Sequence, residues 1–477
     1  MTSTFFGFNI ARRGMSAHKA ALDITAHNIA NSSTEGYSRQ QAVFQTTTPF
    51  NSASANKAAG AGQIGTGVQI AEIKRVRDSF LDFQLRPQLS KLGYWDEEYM
   101  SLSTIEGIMM EPSETGLSNV FDRFWDSWQN LANNPTSDAT REAVLGTAGT
   151  LAGSLNSIAT QLETVVSDLN VKVDIAVRDM NSIATQVAAL NKQIVANVGA
   201  GLNPNDLMDE RDLLLDNLTE LTNFTPIFQP NGSVDVSIKG RYLVQESRAT
   251  SVEAKMVDGH VRVQWADGED LGPATGRIAG IYEVRDWIDN DLRGKLNDMT
   301  VTLMTEVNQL HAAGLPLGEG VGGEDFFVFS PLVPTEGDQS QYALGFITVN
   351  QTLVDDLSLI RAAADGGVDT GLAQGENALA IARLRNAPIF NDGTTSITAH
   401  YSGIINSLGV KSQEAERMTL NQEALSAQLI GRREEASGVS IDEELSYMVQ
   451  FQHGYQAAAR LLTTIDEMLQ TLINLGR

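Results

Sequence analysis

The chain has 477 residues, 42% of them hydrophobic, and a formal net charge of −25. That length sets a prior of about three domains, and the charge argues against a nucleic-acid partner, whose phosphates need clustered Lys and Arg. There is no cysteine, which excludes disulfides, thiolate metal sites and Cys nucleophiles together.

Residues 1–32 read as the first helix. Phe8, Ala11, Met15, His18, Leu22, Thr25 and Ile29 recur in steps of three and four, a seam weakened by His18 and Thr25. Arg12-Arg13 followed by Gly14-Met15-Ser16-Ala17-His18-Lys19 is not the apolar core of a secretory signal, so export, if it occurs, needs another route. Asn31 to Gly36 reads as a turn, and Tyr37 to Phe50 alternates weakly. Asn51 to Gly67 reads as a Gly/Ala/Ser-rich loop, and Val68 to Ile73 alternates as a strand does. A helical pattern runs from Asp78 to Met110, with Pro87 as a kink site. Another follows from Gly116 to Leu131.

The longest periodic run passes through Val144, Leu151, Leu155, Leu162, Leu169, Met180, Val187 and Ile194 without a proline. A helix from Asp138 to Asn197 is roughly 90 Å long at about 1.5 Å per residue, a rod element. Asn205 to Leu221 is a shorter helix. From Phe224 the period changes to two, with turns at Pro230-Asn231-Gly232 and Asp258-Gly259. Helical spacing returns from Ile281 to Leu310. Gly314 to Gly323 is a Gly-rich loop, Phe326 to Val349 is irregular to β, and helix dominates from Ile404.

Ser440 to Leu475 is the segment most in need of partners. Its stripe, Ile441, Leu445, Met448, Phe451, Tyr455, Ala458, Leu462, Ile465, Leu469 and Leu472, keeps close to the coiled-coil period. Leu461, Met468, Ile473 and Leu475 add apolar surface beside it, and a helix apolar on more than one side is buried on more than one side. Ser440 and Glu443 have the spacing of a capping box, and Asp442, Glu443 and Glu444 suit the positive end of the helix dipole. The seams at the two chain ends are expected to pair, weakly in a lone subunit.

Candidate chemistry is thin. Gly60-Ala61-Gly62-Gln63-Ile64-Gly65 has the dinucleotide-loop spacing but lacks the strand before and the helix after, and reads as a flexible turn. No histidine pair has zinc-helix spacing. Asp289-Asn290-Asp291 starts like a calcium loop, but Arg293 stands at a ligand position and Thr300 where a Glu is required. Acidic pairs such as Glu97-Glu98 and Glu434-Glu435 read as solvated helix faces. No catalytic residue, cofactor site or metal site is expected, and no apolar run approaches the roughly 18 residues that would span a membrane.

Asn28-Ile29-Ala30-Asn31-Ser32-Ser33-Thr34-Glu35-Gly36-Tyr37 resembles the N-terminal motif of the bacterial flagellar axial proteins, the rod, hook and hook-associated family. Ser38-Arg39-Gln40 directly after it narrows the likeness to the first hook–filament junction proteins of that family. Gly65 to Leu81, Asn205 to Asp212, Val307 to Phe327 and Ser440 to Leu475 resemble further blocks of the same family, with the weakest likeness over about 223–350. The resemblance implies a non-enzymatic adaptor that polymerises as a ring between hook and filament. It also implies a flagellar hook protein and a second junction protein as neighbours, export through the flagellar type III apparatus with an export chaperone, and an extracellular place in the flagellum without a cleaved signal peptide. The alternative within the family is a hook or distal rod protein.

The expected fold is mainly α with an inserted β-containing domain: an elongated helical bundle built from both ends of the chain, closed by a coiled-coil-like terminal pair. The expected division is 1–33 with 440–477 for assembly, 34–77 as a linker with short strands, 78–222 with 355–439 as a helical rod to which 277–313 can belong, and 223–354 as the β-containing middle. The expected assembly residues are Phe8, Met15, Leu22, Ile29, Leu445, Met448, Phe451, Tyr455, Leu462, Ile465, Leu469 and Leu472. The motif residues are Asn28, Ala30, Asn31, Thr34, Gly36, Tyr37, Ser38, Arg39 and Gln40.

Overall fold

The computed structural model describes residues 5–49, 65–317, 323–334, 338–364, 374–390 and 393–475. The glycine-rich stretch 60–64 and the tip of the 314–323 loop lie outside them.

Helix α1 (Phe6–Ala30) leads into an antiparallel pair, β1 (Gln40–Thr46) and β2 (Val68–Arg75). Then come α2 (Ser79–Met109), α3 (Leu117–Asn133), α4 (Asp138–Gly199) and α5 (Asn205–Leu221). The β region has a four-stranded antiparallel sheet, β3 (Thr225–Phe228), β4 (Val234–Ile238), β5 (Arg241–Gln245) and β6 (Arg248–Ala249), and a hairpin, β7 (Val252–Val257) and β8 (His260–Trp265). Asp258 and Gly259, both at positive φ, form the hairpin turn. Helices α6 (Arg277–Trp287) and α7 (Arg293–Ala313) are joined by one π-helical turn in which Asp289 pairs with Arg293 and Asp291 with Lys295. Both carboxylates that suggested a calcium loop are thus used within the helix.

Short elements follow: β9 (Gly314–Leu315), β10 (Phe327–Phe329), α8 (Ala343–Phe346), β11 (Ile347–Val349), α9 (Gln351–Asp355), β12 (Ala363–Ala364) and α10 (Glu376–Arg383). Two long helices, α11 (Ile397–Ser437) and α12 (Ile441–Leu475), close the chain.

The 62-residue α4 is the spine. Its apolar seam from Val144 to Ile194 is buried as the period predicted, except at Ile183, which is half-buried while Ala184 takes the core position. Asparagines spaced along it hold the strands. Asn191 donates to the Val234 and Glu246 carbonyls and accepts from Val234 N; Asn181 pairs both ways with Val252; Asn170 accepts from Val261 N; Asn156 donates to Ile347 O. An amide presents donor and acceptor together, so each pairs with backbone that a neighbouring strand leaves open. The apolar side chains of β4, β5, β7 and β8 join those of α2–α7 and α11 in one contiguous core. The β region is therefore laid along the rod rather than built around a core of its own.

One expectation is corrected here. Glu97 and Glu98 are not a solvated face; they are 5% and 2% exposed, and meet Lys172 and Lys411. Glu97 is enclosed where α2 meets α4 and α6, and Glu98 where α2 meets α11. Glu434 and Glu435 are exposed as expected.

Candidate assembly interface

Helices α1 and α12 pack antiparallel within one chain. The register is constant. A Cβ on Gly7 would stand 3.2 Å from Ile465 Cδ1, one on Gly14 would stand 3.8 Å from the Ala458 Cβ, the His18 ring lies on Gly454, and Asn28 bonds Glu444. The contacting face of α1 is Gly7, Ala11, Gly14, His18, Ala21, Thr25 and Asn28, alternating steps of four and three. Small residues let the helix axes approach closely.

This corrects the expected N-terminal seam. Ala11, His18 and Thr25 belong to it, whereas Phe8 is 38% exposed and Met15, Leu22 and Ile29 flank it half-buried. A periodicity weighted by large apolar side chains places the seam one position off when the true contact is made by Gly and Ala. Nor do His18 and Thr25 interrupt it. The Thr25 hydroxyl donates to Ala21 O, and the His18 ring packs against both Phe44 and Phe451, at 5.7 and 6.3 Å, in a three-ring cluster whose two phenyl rings also touch at 5.9 Å.

On α12 the ridge Phe451–Ala458–Ile465 faces α1. Ile465 is buried; Met448, Phe451, Tyr455, Leu462 and Leu469 are half-buried. Leu445 is 47% exposed, outside the pair, because α1 covers the turn through Glu444 instead. The Leu472 side chain lies outside the described residues. Apolar side chains are left uncovered on both flanks: Leu461 and Met468 on one, Leu445, Val449 and Ile473 on the other.

The base of the pair is a polar lock made by the motif. Asn28 Nδ2 donates to Gln40 O at 2.9 Å and to Glu444 Oε2 at 3.0 Å, while Asn28 Oδ1 accepts from the Tyr37 hydroxyl at 2.7 Å and from Gln40 N at 2.9 Å. All four amide bonds are filled. Arg39 Nε donates to Glu444 Oε1 at 2.7 Å, its guanidinium reaches Glu443 at 3.3 Å, and it lies over the Tyr447 ring. Glu443 is thus drawn to Arg39, while its backbone N–H makes a long 3.5 Å bond to Ser440 Oγ. Glu444 is 2% exposed, so it is a buried acceptor more than a dipole charge. Burial, then the Asp206, Asp209 and Glu444 carboxylates, push the Tyr37 phenol well above its ordinary range, so it stays a donor.

The same loop locks onto α5. Ser38 N and Arg75 both donate to Asp209; Arg75 also reaches Asp212; Gln40 donates to Asp206 at 2.6 Å and accepts from Asn205. Burial pushes the Asp209 carboxyl up, against the pull of Arg75 and Ser38. At Asp212 burial also pushes up, but Arg77, Arg211, Arg75 and Arg86 outweigh it and hold the carboxyl below its usual range. Gly36 turns the loop at φ +77, and a Cβ there would stand 3.1 Å from the Leu213 Cβ. Asn31 donates to His27 O, Thr34 bonds Asn31, and Ala30 is exposed at the helix end.

The structure thus brings the motif residues together with Asn205, Asp206, Asp209 and Asp212, and with Glu444 at the far end of the sequence. Sequence reading marked these blocks separately and missed that they are one network. The available signal was the recurrence of Asp at 206, 209, 212 and 216, which puts carboxylates along one side of a helix. A third block forms its own knot: Asn308 Oδ1 accepts from Phe326 N and Phe327 N, and Phe326 packs on Trp128 and His311.

Comparison with known proteins follows the same layout. Residues 102–327 match the family described as the flagellar hook-associated protein FlgK helical domain, 8–37 the flagella basal body rod protein family, and 432–475 the flagellar basal body rod FlgEFG protein C-terminal family. The chain is similar over its length to flagellar hook-associated protein 1 of Bacillus subtilis (strain 168), 34% identical with 99% of each chain covered. It is likewise similar to the protein of that name from Escherichia coli (strain K12), 25% identical with 98% of this chain and 99% of the other covered. Its fold is similar to that of the flagellar hook junction protein FlgK from Burkholderia pseudomallei, with a TM-score of 0.64 and 16% identity, over 74% of this chain and all of that one.

Proposed function

The chain belongs to the flagellar hook-associated protein 1 family, structural axial components of the bacterial flagellum, and from that premise we propose that it joins hook to filament as a ring of subunits assembled through the α1–α12 pair. The observation that carries the proposal is the pair of uncovered apolar flanks on α12, because α1 satisfies only the ridge between them. Covering them with neighbouring subunits buries surface that one chain leaves in water. Residues 1–33 with 440–477 are then the assembly domain, fixed to the rod by the motif network, and the β region with the rod forms the outer body. Full-length likeness to proteins named hook-associated protein 1 favours this over a hook or distal rod protein, whose families match only the two chain ends.

On this reading the neighbours are the hook protein on one side and the second junction protein on the other. The subunit is not an enzyme, binds no cofactor, inserts in no membrane, and leaves the cell through the flagellar type III apparatus, escorted by a chaperone, with no signal peptide removed. No helix among the described residues is long and apolar enough to cross a membrane. The test is to delete the chain from its cells and to label it in wild-type cells. Hooks without filaments, with label confined to hook tips, are expected. Normal filaments in the deletion would reject the junction role.

A further inference from the structure

At the foot of the terminal pair, between the motif loop and the end of α11, lies a cleft of about 840 Å³. Its three arginines are already engaged: Arg39 with Glu443 and Glu444, Arg77 with Asp82, Arg433 with Asp216. Glu35, Glu434 and Glu435 line it, are exposed, and have no ion pair among the described residues. The cleft is therefore rimmed by three uncompensated carboxylates. Ser437 also lines it, 6% exposed, its hydroxyl without a hydrogen-bond partner among the described residues. A buried hydroxyl left unpaired costs stability, a cost that a donor from outside the subunit would relieve.

The matching charge is on the same chain but out of its own reach. In the first half of α1, Arg12, Arg13 and Lys19 are exposed and carry no ion pair among the described residues. Arg12 and Lys19 stand two turns apart on one face, Arg13 beside Arg12. No acidic residue precedes Asp23 on this helix. Arg13 lies 15 residues from Asn28 at the base of the pair, roughly 22 Å along the helix.

We propose that the cleft receives the basic first half of α1 from a second copy of the chain. This deepens, and rests on, the self-association proposed above. The two surfaces differ, so the contact is heterologous. Such a contact repeats from subunit to subunit and closes into a ring when the rotation allows, whereas a self-complementary patch stops at a dimer. Rim charges of this kind set register and partner choice more than affinity, which is what a ring with one geometry needs.

The test uses full-length chains in flagellated cells. One variant carries Arg12→Glu with Arg13→Glu; the other carries Glu434→Arg with Glu435→Arg. Each as the sole copy should lose filaments from most cells. Made together they should restore them, because alternating subunits present opposite charges at every contact of an even ring and at all but one of an odd one, and this restoration also shows that both variants fold. A second arm exploits the absence of native cysteine. Chains with Arg13→Cys and Glu435→Cys, oxidised in isolated hook tips, should give a ladder of chain multimers, and either single-cysteine chain should not. Filaments from either charge variant alone, failure of the combination, a cross-link to a different protein, or assembled double-cysteine chains without a ladder would each overturn the inference. The last result leaves the junction role standing, whereas normal filaments in cells lacking the chain would remove that role itself.

Discussion

The His18 ring rests on the backbone of Gly454, so close that a Cβ at 454 would stand 2.7 Å from two ring atoms and 2.8 Å from a third. Gly454 is the one glycine of α12, and a glycine inside a helix ordinarily costs about 1 kcal/mol against alanine. Here the contact reverses that preference. Gly454→Ala must push the ring away from its contacts with Phe44 and Phe451, and overpacking of this kind costs about 1–3 kcal/mol. Amide exchange should speed up in α1 and α12 and stay unchanged in α4. Unchanged exchange at the chain ends would show that the ring moves aside freely.

Asn28 is the narrowest point of the lock. Asn28→Ala leaves Gln40 N, Gln40 O, the Tyr37 hydroxyl and Glu444 each short of a partner, and the loss should be about 2–4 kcal/mol in the terminal pair. Asn28→Asp keeps the size but faces the buried Glu444 carboxylate with a second one, so it should be worse near neutral pH and recover on acidification. Limited proteolysis near Ser440 reads both. Equal resistance of wild type and Asn28→Asp would refute the network's role.

The rod was legible in sequence because α4 repeats large apolar residues over 62 positions, and such a seam reads as core whatever surrounds it. The terminal seam was half legible. Its partners are Gly7, Gly14 and Ala21, whose contribution is the absence of bulk, and periodicity counts bulk. The lock was invisible as a unit, since Asn28 and Glu444 are 416 positions apart and an acidic first turn already has a sufficient local reason in the helix dipole. Glu97 and Glu98 failed for a related cause. Nothing in their neighbourhood announces Lys172 and Lys411, which reach them from other helices.

His311 makes stability pH-dependent. Its ring is enclosed, with Nδ1 on Glu324 O and Nε2 facing Arg361 N. Burial pushes it down to about 4. The unfolded chain takes up the proton near the ordinary value of about 6.5. Between those values the unfolded state binds more protons, so stability falls as pH drops through this window and is flat above it. The full effect is about 3 kcal/mol by pH 4. Carboxylates titrate nearby, so the readout is the difference in urea midpoint between wild type and His311→Asn. That difference should shrink as the pH is lowered from about 7 to about 4.5. A constant difference would contradict the neutral, buried imidazole.

Leu155 sits fully buried in the first third of the spine. Leu155→Pro removes a helix hydrogen bond and opens the core, for about 3 kcal/mol or more. Circular dichroism should show lost helicity and an earlier melt. Intact helicity would contradict a continuous α4.

The uncovered flanks of α12 allow stability and assembly to be separated. Leu461 and Met468 are 46% and 56% exposed and lie beside the ridge that α1 covers, whereas Ile465, between them in sequence, is 7% exposed against Gly7. Leu461→Asp and Met468→Asp add charge where a single chain has only water, so the melting of the purified subunit should hardly change. In an assembled ring the same carboxylates would be enclosed without a partner, at a cost of several kcal/mol unless protonated, and cells carrying them should bear hooks without filaments. Ile465→Asp should behave differently, opening the terminal pair of the lone subunit as well. Melting read together with electron microscopy gives each variant two coordinates. Normal filaments with Leu461→Asp and Met468→Asp would mean that this flank faces water in the flagellum too. A melt as damaged as that of Ile465→Asp would mean that the flank already belongs to the subunit's own packing.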